Sequence, residues 1–284
     1  MIVKVDNLGL QAFLAEGVRL DFKGKTLPSF LDKAAGNLAK KFHESIPSYQ
    51  PTPLVHLSAL AQELGVANIY VKDESVRFGL NAFKALGSFY AMGKFIGQRL
   101  GLDEEKMTFD YLCSEEVRKK LGKMTFVTAT DGNHGRGVAW AARQLGQKAV
   151  VYLPKGAASR RVEAIVETGA TAIVTDVNYD DTVRLAKEAA ETNGWHLIQD
   201  TAWAGYEDVP RWIMQGYTTM AVEADQQLEE LQLPRPTHVF VQAGVGSFAG
   251  AILGYLVNHH QEKYPKTIVM EPEKAACIFE SALI

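Results

Sequence analysis

Cysteine is scarce. The 284 residues hold two, Cys113 and Cys277, too few and too far apart for a disulfide framework, so a reducing cytosol is the expected setting. An excess of either charge is missing as well. The 30 Lys+Arg stand against 33 Asp+Glu, a formal net charge of −3, and no basic face for nucleic acid is expected. No apolar run approaches the roughly 18 residues of a membrane span. The opening Met-Ile-Val-Lys-Val-Asp lacks the charged-then-apolar layout of a secretory leader. Internal repeats and low-complexity linkers are absent too. The adjacent pair His259-His260 lacks metal-ligand spacing and no Cys/His cluster accompanies it, so no metal site is expected. What is present is ordinary globular composition, 47% hydrophobic and 22% charged, which excludes disordered, collagen-like and coiled-coil chains. The length suffices for a sizeable core and two lobes.

Short β-branched runs recur, each followed by an amphipathic stretch. Strands are predicted at residues 68–73, 124–130, 149–154, 171–176, 196–200, 238–244 and 268–271. Ala149-Val150-Val151-Tyr152-Leu153 is apolar throughout, as suits a strand covered on both faces of a parallel sheet. Helical periods run between them, over 162–168 with a glycine stop at Gly169 and over 179–192 with one at Gly194. Alternation of this kind predicts an α/β fold with right-handed crossovers. In open sheets of that class, ligands sit at the carboxyl ends of the strands, which directs attention to the loops there.

Gly244-Val245-Gly246-Ser247 follows one strand and opens a helix, so that backbone N–H groups and the positive helix end can converge on a phosphate. The same spacing satisfies a dinucleotide fingerprint, with Glu271 placed to read a ribose, and a plain tight turn is the bland alternative. Lys84 stands early in a long apolar helix. Burial there would favour a reactive neutral amine, whereas an ordinary lysine would snorkel to the surface. The loop Thr130-Asp131-Gly132-Asn133-His134 leads from a strand into a helix and offers N–H groups for a substrate carboxylate. Asp131 would repel that carboxylate unless it serves as an acid/base or reads an amine, and an N-cap role competes. Asp200 also ends a strand, where capping is the ordinary role.

As a set these residues resemble the fold-type-II pyridoxal-phosphate enzymes, the group of tryptophan synthase β and threonine dehydratase. Pro51-Thr52-Pro53-Leu54, Val71-Lys72-Asp73-Glu74, Ala82-Phe83-Lys84, Asp131-Gly132-Asn133-His134-Gly135 and Gly244-Val245-Gly246 occur in that group's order. Longer stretches are similar to its diaminopropionate ammonia-lyase branch: Lys72 through Lys84, Thr130 through Trp140, Asn178 through Arg184, and Gln199-Asp200-Thr201-Ala202-Trp203. The likeness covers essentially the whole chain. Within it, Asn81-Ala82-Phe83-Lys84 stands where the wider group has Gly-Ser-Phe-Lys, and Asp131 stands where many relatives have serine.

The resemblance implies a two-lobed α/β fold, each lobe an open, mostly parallel sheet flanked by helices. A large cofactor domain would comprise 1–85 with 197–284, and a small domain 86–196. Pyridoxal 5'-phosphate would be held by Lys84, its ring oriented by Asn133 and its phosphate cradled by Gly244, Val245, Gly246 and Ser247. Thr130, Asp131, Gly132 and His134 would bind substrate. Lys84, Asp131 and Asp200 would be catalytic, the two aspartates serving opposite hands of the substrate. The implied reaction is α,β-elimination of ammonia from 2,3-diaminopropionate to pyruvate, by a cytoplasmic homodimer with no metal. A serine or threonine dehydratase-like eliminase, a nicotinamide-binding protein and an inactive shortened chain stand as alternatives. The last arises because chains of the family are expected to continue past Ile284, by very roughly a quarter to a third of their length, and to carry the ring-nitrogen partner there.

Overall fold

A computed structural model describes residues 26–282 and, before them, two short strands that pair antiparallel, β1 (Ile2–Val5) and β2 (Leu10–Phe13). The remaining residues of 1–25 and the closing Leu283-Ile284 lie outside the described residues. So do the expectations that rest on them, including the start of the large domain and much of the leader reading.

Asp32 opens α1 (Lys33–Glu44) by accepting the Ala35 N–H at 2.8 Å. The chain then forms β3 (Leu54–His56), α2 (Ser58–Glu63) and β4 (Tyr70–Lys72), the two strands antiparallel. A short 3-10 segment, Glu74–Gly79, leads to α3 (Lys84–Leu100), followed by the small helices α4 (Phe109–Leu112) and α5 (Glu115–Leu121). Next comes a strict alternation: β5 (Thr125–Ala129), α6 (Asn133–Gln144), β6 (Lys148–Leu153), α7 (Ser159–Val166), β7 (Thr171–Val174), α8 (Tyr179–Asn193) and β8 (His196–Leu197). These strands make one parallel sheet in the order β7-β6-β5-β8. The long α9 (Asp208–Glu230) leads to β9 (His238–Gln242), α10 (Ser247–His260), β10 (Lys266–Met270) and α11 (Cys277–Ala282), with β9 and β10 parallel to each other.

The expected strands all appear, mostly with tighter bounds. Two details differ. Residues 70–72 pair with β3, a three-residue strand too short to register as a period, and not with a parallel neighbour. Only one sheet of more than two strands is formed among the described residues, so the second expected open sheet is represented by the β9–β10 pair. Gly194 caps α8 in the left-handed region as expected; Gly169, also at positive φ, lies three residues beyond the end of α7. No helix among the described residues is long and apolar enough to cross a membrane.

Helix α3 is the core of the molecule, with Leu86, Phe89 and Ile96 wholly buried. It is packed by α9 on one side and α6 on another. Such close approach needs missing side chains. A Cβ at Gly87 would stand 2.6 Å from the Tyr217 ring, and one at Gly216 2.6 Å from the Leu86 carbonyl oxygen. On the α6 side, a Cβ at Gly137 would come within about 3.1 Å of the Lys84 and Ala85 backbone. The first turn of α3, which bears Lys84, is therefore seated directly against both neighbouring helices.

Candidate active site

Lys84 is the first residue of α3, and its Nζ donates to Asp200 Oδ2 at 2.7 Å. Asp200 is 5% exposed, just past β8. Its position is fixed by Gln199, whose buried amide oxygen accepts from Thr128 Oγ1 (3.0 Å) and the Ala129 N–H (3.1 Å), and whose side-chain nitrogen donates to Tyr179 Oη (3.1 Å). The Gln199 N–H also donates to Tyr206 Oη at 2.8 Å. Burial alone would raise the Asp200 carboxyl pKa. The Lys84 ammonium, by its charge and its hydrogen bond, outweighs that effect and holds it at about 2. For Lys84, burial opposes the charged form, but Tyr217 and Asp200 prevail and its pKa is raised.

His134, in the first turn of α6, completes this group. It is buried, and its Nε2 lies 2.8 Å from the Ile198 carbonyl oxygen, so Nε2 carries the proton and donates. Its Nδ1 then presents a lone pair, has no hydrogen-bond partner, and lies 3.7 Å from Asp200 Oδ2. Burial lowers the pKa of this imidazole. The Tyr217 hydroxyl of α9 is likewise buried without a hydrogen bond, and desolvation pushes its pKa up to about 12. Lys84 Nζ lies 5.7 Å from the Tyr217 and Phe83 ring centres.

The loop between β5 and α6 is organised by Thr130, whose Oγ1 accepts the Gly132 N–H at 2.9 Å. Asn133, the first residue of α6, is exposed. Asp131 is exposed too, its carbonyl oxygen accepting from Arg161 Nη1 at 2.7 Å, and its carboxylate makes no hydrogen bond or ion pair among the described residues.

The glycine loop after β9 approaches from the other side. Gly246 takes φ +88° at the start of α10, a left-handed conformation that only glycine adopts freely. Ser247 follows with its Oγ buried and without a hydrogen-bond partner. Phe248 stacks on Phe83, ring centres 4.5 Å apart, and so joins the first turn of α10 to the residue before Lys84. Glu271 was the acid that a ribose would need. Its carboxylate instead accepts the Ile278 and Phe279 N–H groups, both at 2.9 Å, at the start of α11.

Behind Lys84, the segment that precedes it is tied down by a buried ionic cluster that sequence reasoning missed. Arg77 donates from Nη1 and Nη2 to the two carboxylate oxygens of Glu223 in α9, each at 2.8 Å, and to Glu74 from Nε at 2.8 Å. Lys72 (2.6 Å) and the Tyr49 hydroxyl (2.7 Å) donate to Glu223 as well. Further along, Asn81 takes φ +55°, a conformation that glycine and asparagine tolerate best. That conformation accounts for asparagine where the wider group carries glycine. Tyr217, Gln199 and Tyr206 were also missed. The one hint was Gly216 inside a long helical period, a mark of close packing beside Tyr217.

A lysine amine held by a carboxylate and a glycine-opened helix start, joined through the Phe83–Phe248 contact, are the two groups that an aldehyde-bearing phosphate needs at its ends. The sequence profile of the pyridoxal-phosphate dependent enzymes matches residues 46–283, and the chain belongs to that family. The residues fit the cofactor: the orphaned Ser247 Oγ and the uncrowded Gly244 backbone suit its phosphate, and Lys84 suits its carbonyl carbon.

Within the family, several similar relatives are diaminopropionate ammonia-lyases. The chain is 54% identical over 256 residues to the diaminopropionate ammonia-lyase of Salmonella typhimurium, covering 90% of this chain and 63% of that one. It is also similar to the crystal structure of holo diaminopropionate ammonia-lyase from Escherichia coli, with a TM-score of 0.86 and 51% identity, over 91% of this chain and 64% of that one. The same Escherichia coli enzyme in complex with D-serine matches with a TM-score of 0.86 and 51% identity, over 91% of this chain and 65% of that one. The chain thus spans just under two thirds of the length of these relatives.

Proposed function

We propose that this chain carries the cofactor-binding and proton-transfer residues of a lyase that eliminates ammonia from 2,3-diaminopropionate. The observation that carries this reading is the Lys84–Asp200 contact at 2.7 Å, bordered by the unpartnered Nδ1 of His134. In the overall reaction the Cα–H and Cβ–N bonds break and a C=C bond forms. One water then hydrolyses the enamine to pyruvate, so that two molecules of ammonia leave.

When bound, pyridoxal 5'-phosphate gives the electron pair left at the substrate Cα a place to delocalise. Lys84 holds the cofactor, Asn133 orients it, and Gly244, Val245, Gly246 and Ser247 bind its phosphate at the positive end of α10. The Thr130 and Gly132 N–H groups donate to the Tyr152 carbonyl and to Thr130 Oγ1. The Asp131 N–H and the first turn of α6 therefore receive the substrate carboxylate, with Thr130 and Gly132 shaping the loop. His134 Nδ1 accepts a hydrogen bond from a substrate ammonium, which satisfies an otherwise orphaned buried atom. Asp200 takes the α-proton from one face and Asp131 from the other, so each hand of the substrate has its own base. The exposed, unpaired carboxylate of Asp131 is also free to attract the cationic β-amino group that distinguishes diaminopropionate from serine. In this reading residues 1–85 and 197–284 form the larger, cofactor lobe and 86–196 the smaller one. A cytoplasmic homodimer is the expected setting.

The test has two stages. Purified protein incubated with the cofactor should turn yellow, and borohydride should fix the label on Lys84; labelling elsewhere would overturn the whole reading. Pyruvate and ammonia are then measured with 2,3-diaminopropionate, serine and threonine. Release in a 1:2 ratio with diaminopropionate preferred is expected. Faster turnover of serine or threonine would overturn the substrate and leave the cofactor site standing.

A further inference from the structure

At the far end of α10 from the glycine loop, its last two residues meet the side of α9. His259 Nε2 lies 3.6 Å from Asp225 Oδ2, and His260 Nε2 lies 3.2 Å from the same oxygen. The two imidazole rings are 4.5 Å apart between centres, and the three ligand atoms all fall within 4.8 Å of one another. A tetrahedral ion with bonds of about 2.05 Å has ligand atoms about 3.3 Å apart along each edge. Two of the edges already have nearly that length.

The second observation is Asp225 Oδ2 itself. Oδ2 is buried from solvent and has no hydrogen-bond partner although both imidazoles face it, whereas the other carboxylate oxygen, Oδ1, accepts from His260 Nε2 at 3.3 Å. The His260 contact satisfies one carboxylate oxygen and leaves Oδ2 as a buried acceptor faced by two ring nitrogens, a position that a cation can complete. The side chains are only 14%, 15% and 4% exposed for Asp225, His259 and His260, so the cluster is not a solvated surface face.

We propose that Asp225, His259 and His260 form a binding site for one divalent transition-metal ion of the zinc, nickel or cobalt type. Two imidazoles and one carboxylate supply three ligands and leave a fourth position for water. Adjacent histidines have no ligand spacing by themselves; the third ligand comes from a helix 34 residues upstream, which only the fold brings near. The ion fastens the carboxyl end of α10 to α9, the helix that bears Tyr217 and Glu223. One neighbour resists it. Arg235 Nη1 lies 3.2 Å from His260 Nδ1 and must donate there, which leaves the imidazole proton on Nε2, pointing at Asp225. Metal binding moves that proton to Nδ1 and turns Arg235 away, which its 55% exposure permits.

Titration of the untagged chain with Zn2+, followed by calorimetry, and with Co2+, followed by its visible absorption, tests the site. One equivalent should bind with a Kd of about 1 μM or tighter, with the intense bands of four-coordinate Co2+. Asp225→Asn and His260→Gln should each weaken binding at least about tenfold, and Arg235→Gln should tighten it. Circular dichroism checks that the variants are folded. Absence of saturable binding to the unaltered chain overturns the proposal without any variant. So does binding that survives Asp225→Asn, or a thiolate charge-transfer band that disappears in Cys277→Ser.

Discussion

Two buried ion pairs stand on either side of the segment before α3, and they are built on opposite principles. Around Glu223 each carboxylate oxygen is occupied: Arg77 reaches both, and Lys72 and Tyr49 add one donor each. Around Asp200 the set is left open. Lys84 is bound, but His134 Nδ1, the Tyr217 hydroxyl and, across the site, Ser247 Oγ have no partners. A satisfied buried network rigidifies, whereas an unsatisfied one is held ready for something that arrives later. The contrast separates scaffold from site without any appeal to resemblance.

The sharpest way to break the comparison is to remove one group from each cluster. Lys84→Ala should abolish covalent cofactor capture altogether, read by loss of the borohydride-fixed label, and leave the fold standing. Glu223→Ala should do the reverse, costing about 3–5 kcal/mol of stability because Arg77 is left buried and unpaired. Urea unfolding measures this, and a loss under about 1 kcal/mol would show that the network is not structural.

Acid should distinguish the two clusters next. Burial alone would raise the Glu223 carboxyl, but Arg77 and Lys72 hold it from its ordinary 4.5 to about 2. A carboxyl depressed in the folded state binds protons more readily when unfolded. Its stabilisation is therefore complete above about pH 4.5 and is lost as the pH falls through 2. Asp200, depressed from 3.8 to about 2, adds a smaller contribution of the same sign. Unfolding midpoints measured between pH 6 and 3 should fall for the unaltered chain and flatten more in Glu223→Gln than in Asp200→Asn.

Smaller effects sharpen the reading of the open cluster. Asp131→Ser should lose the preference for diaminopropionate over serine by roughly tenfold, about 1.4 kcal/mol. Unchanged selectivity, taken as the ratio of kcat/KM values, would remove Asp131 from its role. Tyr217→Phe deletes a hydroxyl with no partner, so its melting temperature should stay the same or rise slightly, within about 0.5 kcal/mol. A marked destabilisation would mean that this hydroxyl belongs to the scaffold.

Much of the fold was legible because its signals are local. Continuous β-branched runs marked the strands of the parallel sheet, and Gly194 marked a helix stop. The site was legible only in part. Read singly, Lys84 looks like a snorkelling lysine and Asp200 like a capping aspartate; motif order, and not the chemistry of either residue, linked them. The partners that fix them are remote. Arg77 and Glu223 are separated by 146 positions, and Lys84 and Asp200 by 116. No periodicity encodes such pairs: Glu223 meets Arg77 only after α9 has been laid along α3, and Asp200 meets Lys84 only after β8 has joined β5 in the parallel sheet. The dinucleotide reading of Gly244–Gly246 met the same limit from the other direction: Glu271 sits at the expected place in sequence, but its carboxylate is engaged by Ile278 and Phe279.

The contacts at Gly87, Gly137 and Gly216 carry a consequence for sequence drift. None of the three has a chemical group to offer, yet each marks a place where a methyl group would push a helix away from the base of Lys84. In a library of random variants selected for cofactor capture, these positions should be as intolerant of replacement as the lysine itself. Asp131 on its loop and Asn133 at the start of α6, both exposed, should by contrast accept changes that alter turnover while leaving the protein folded.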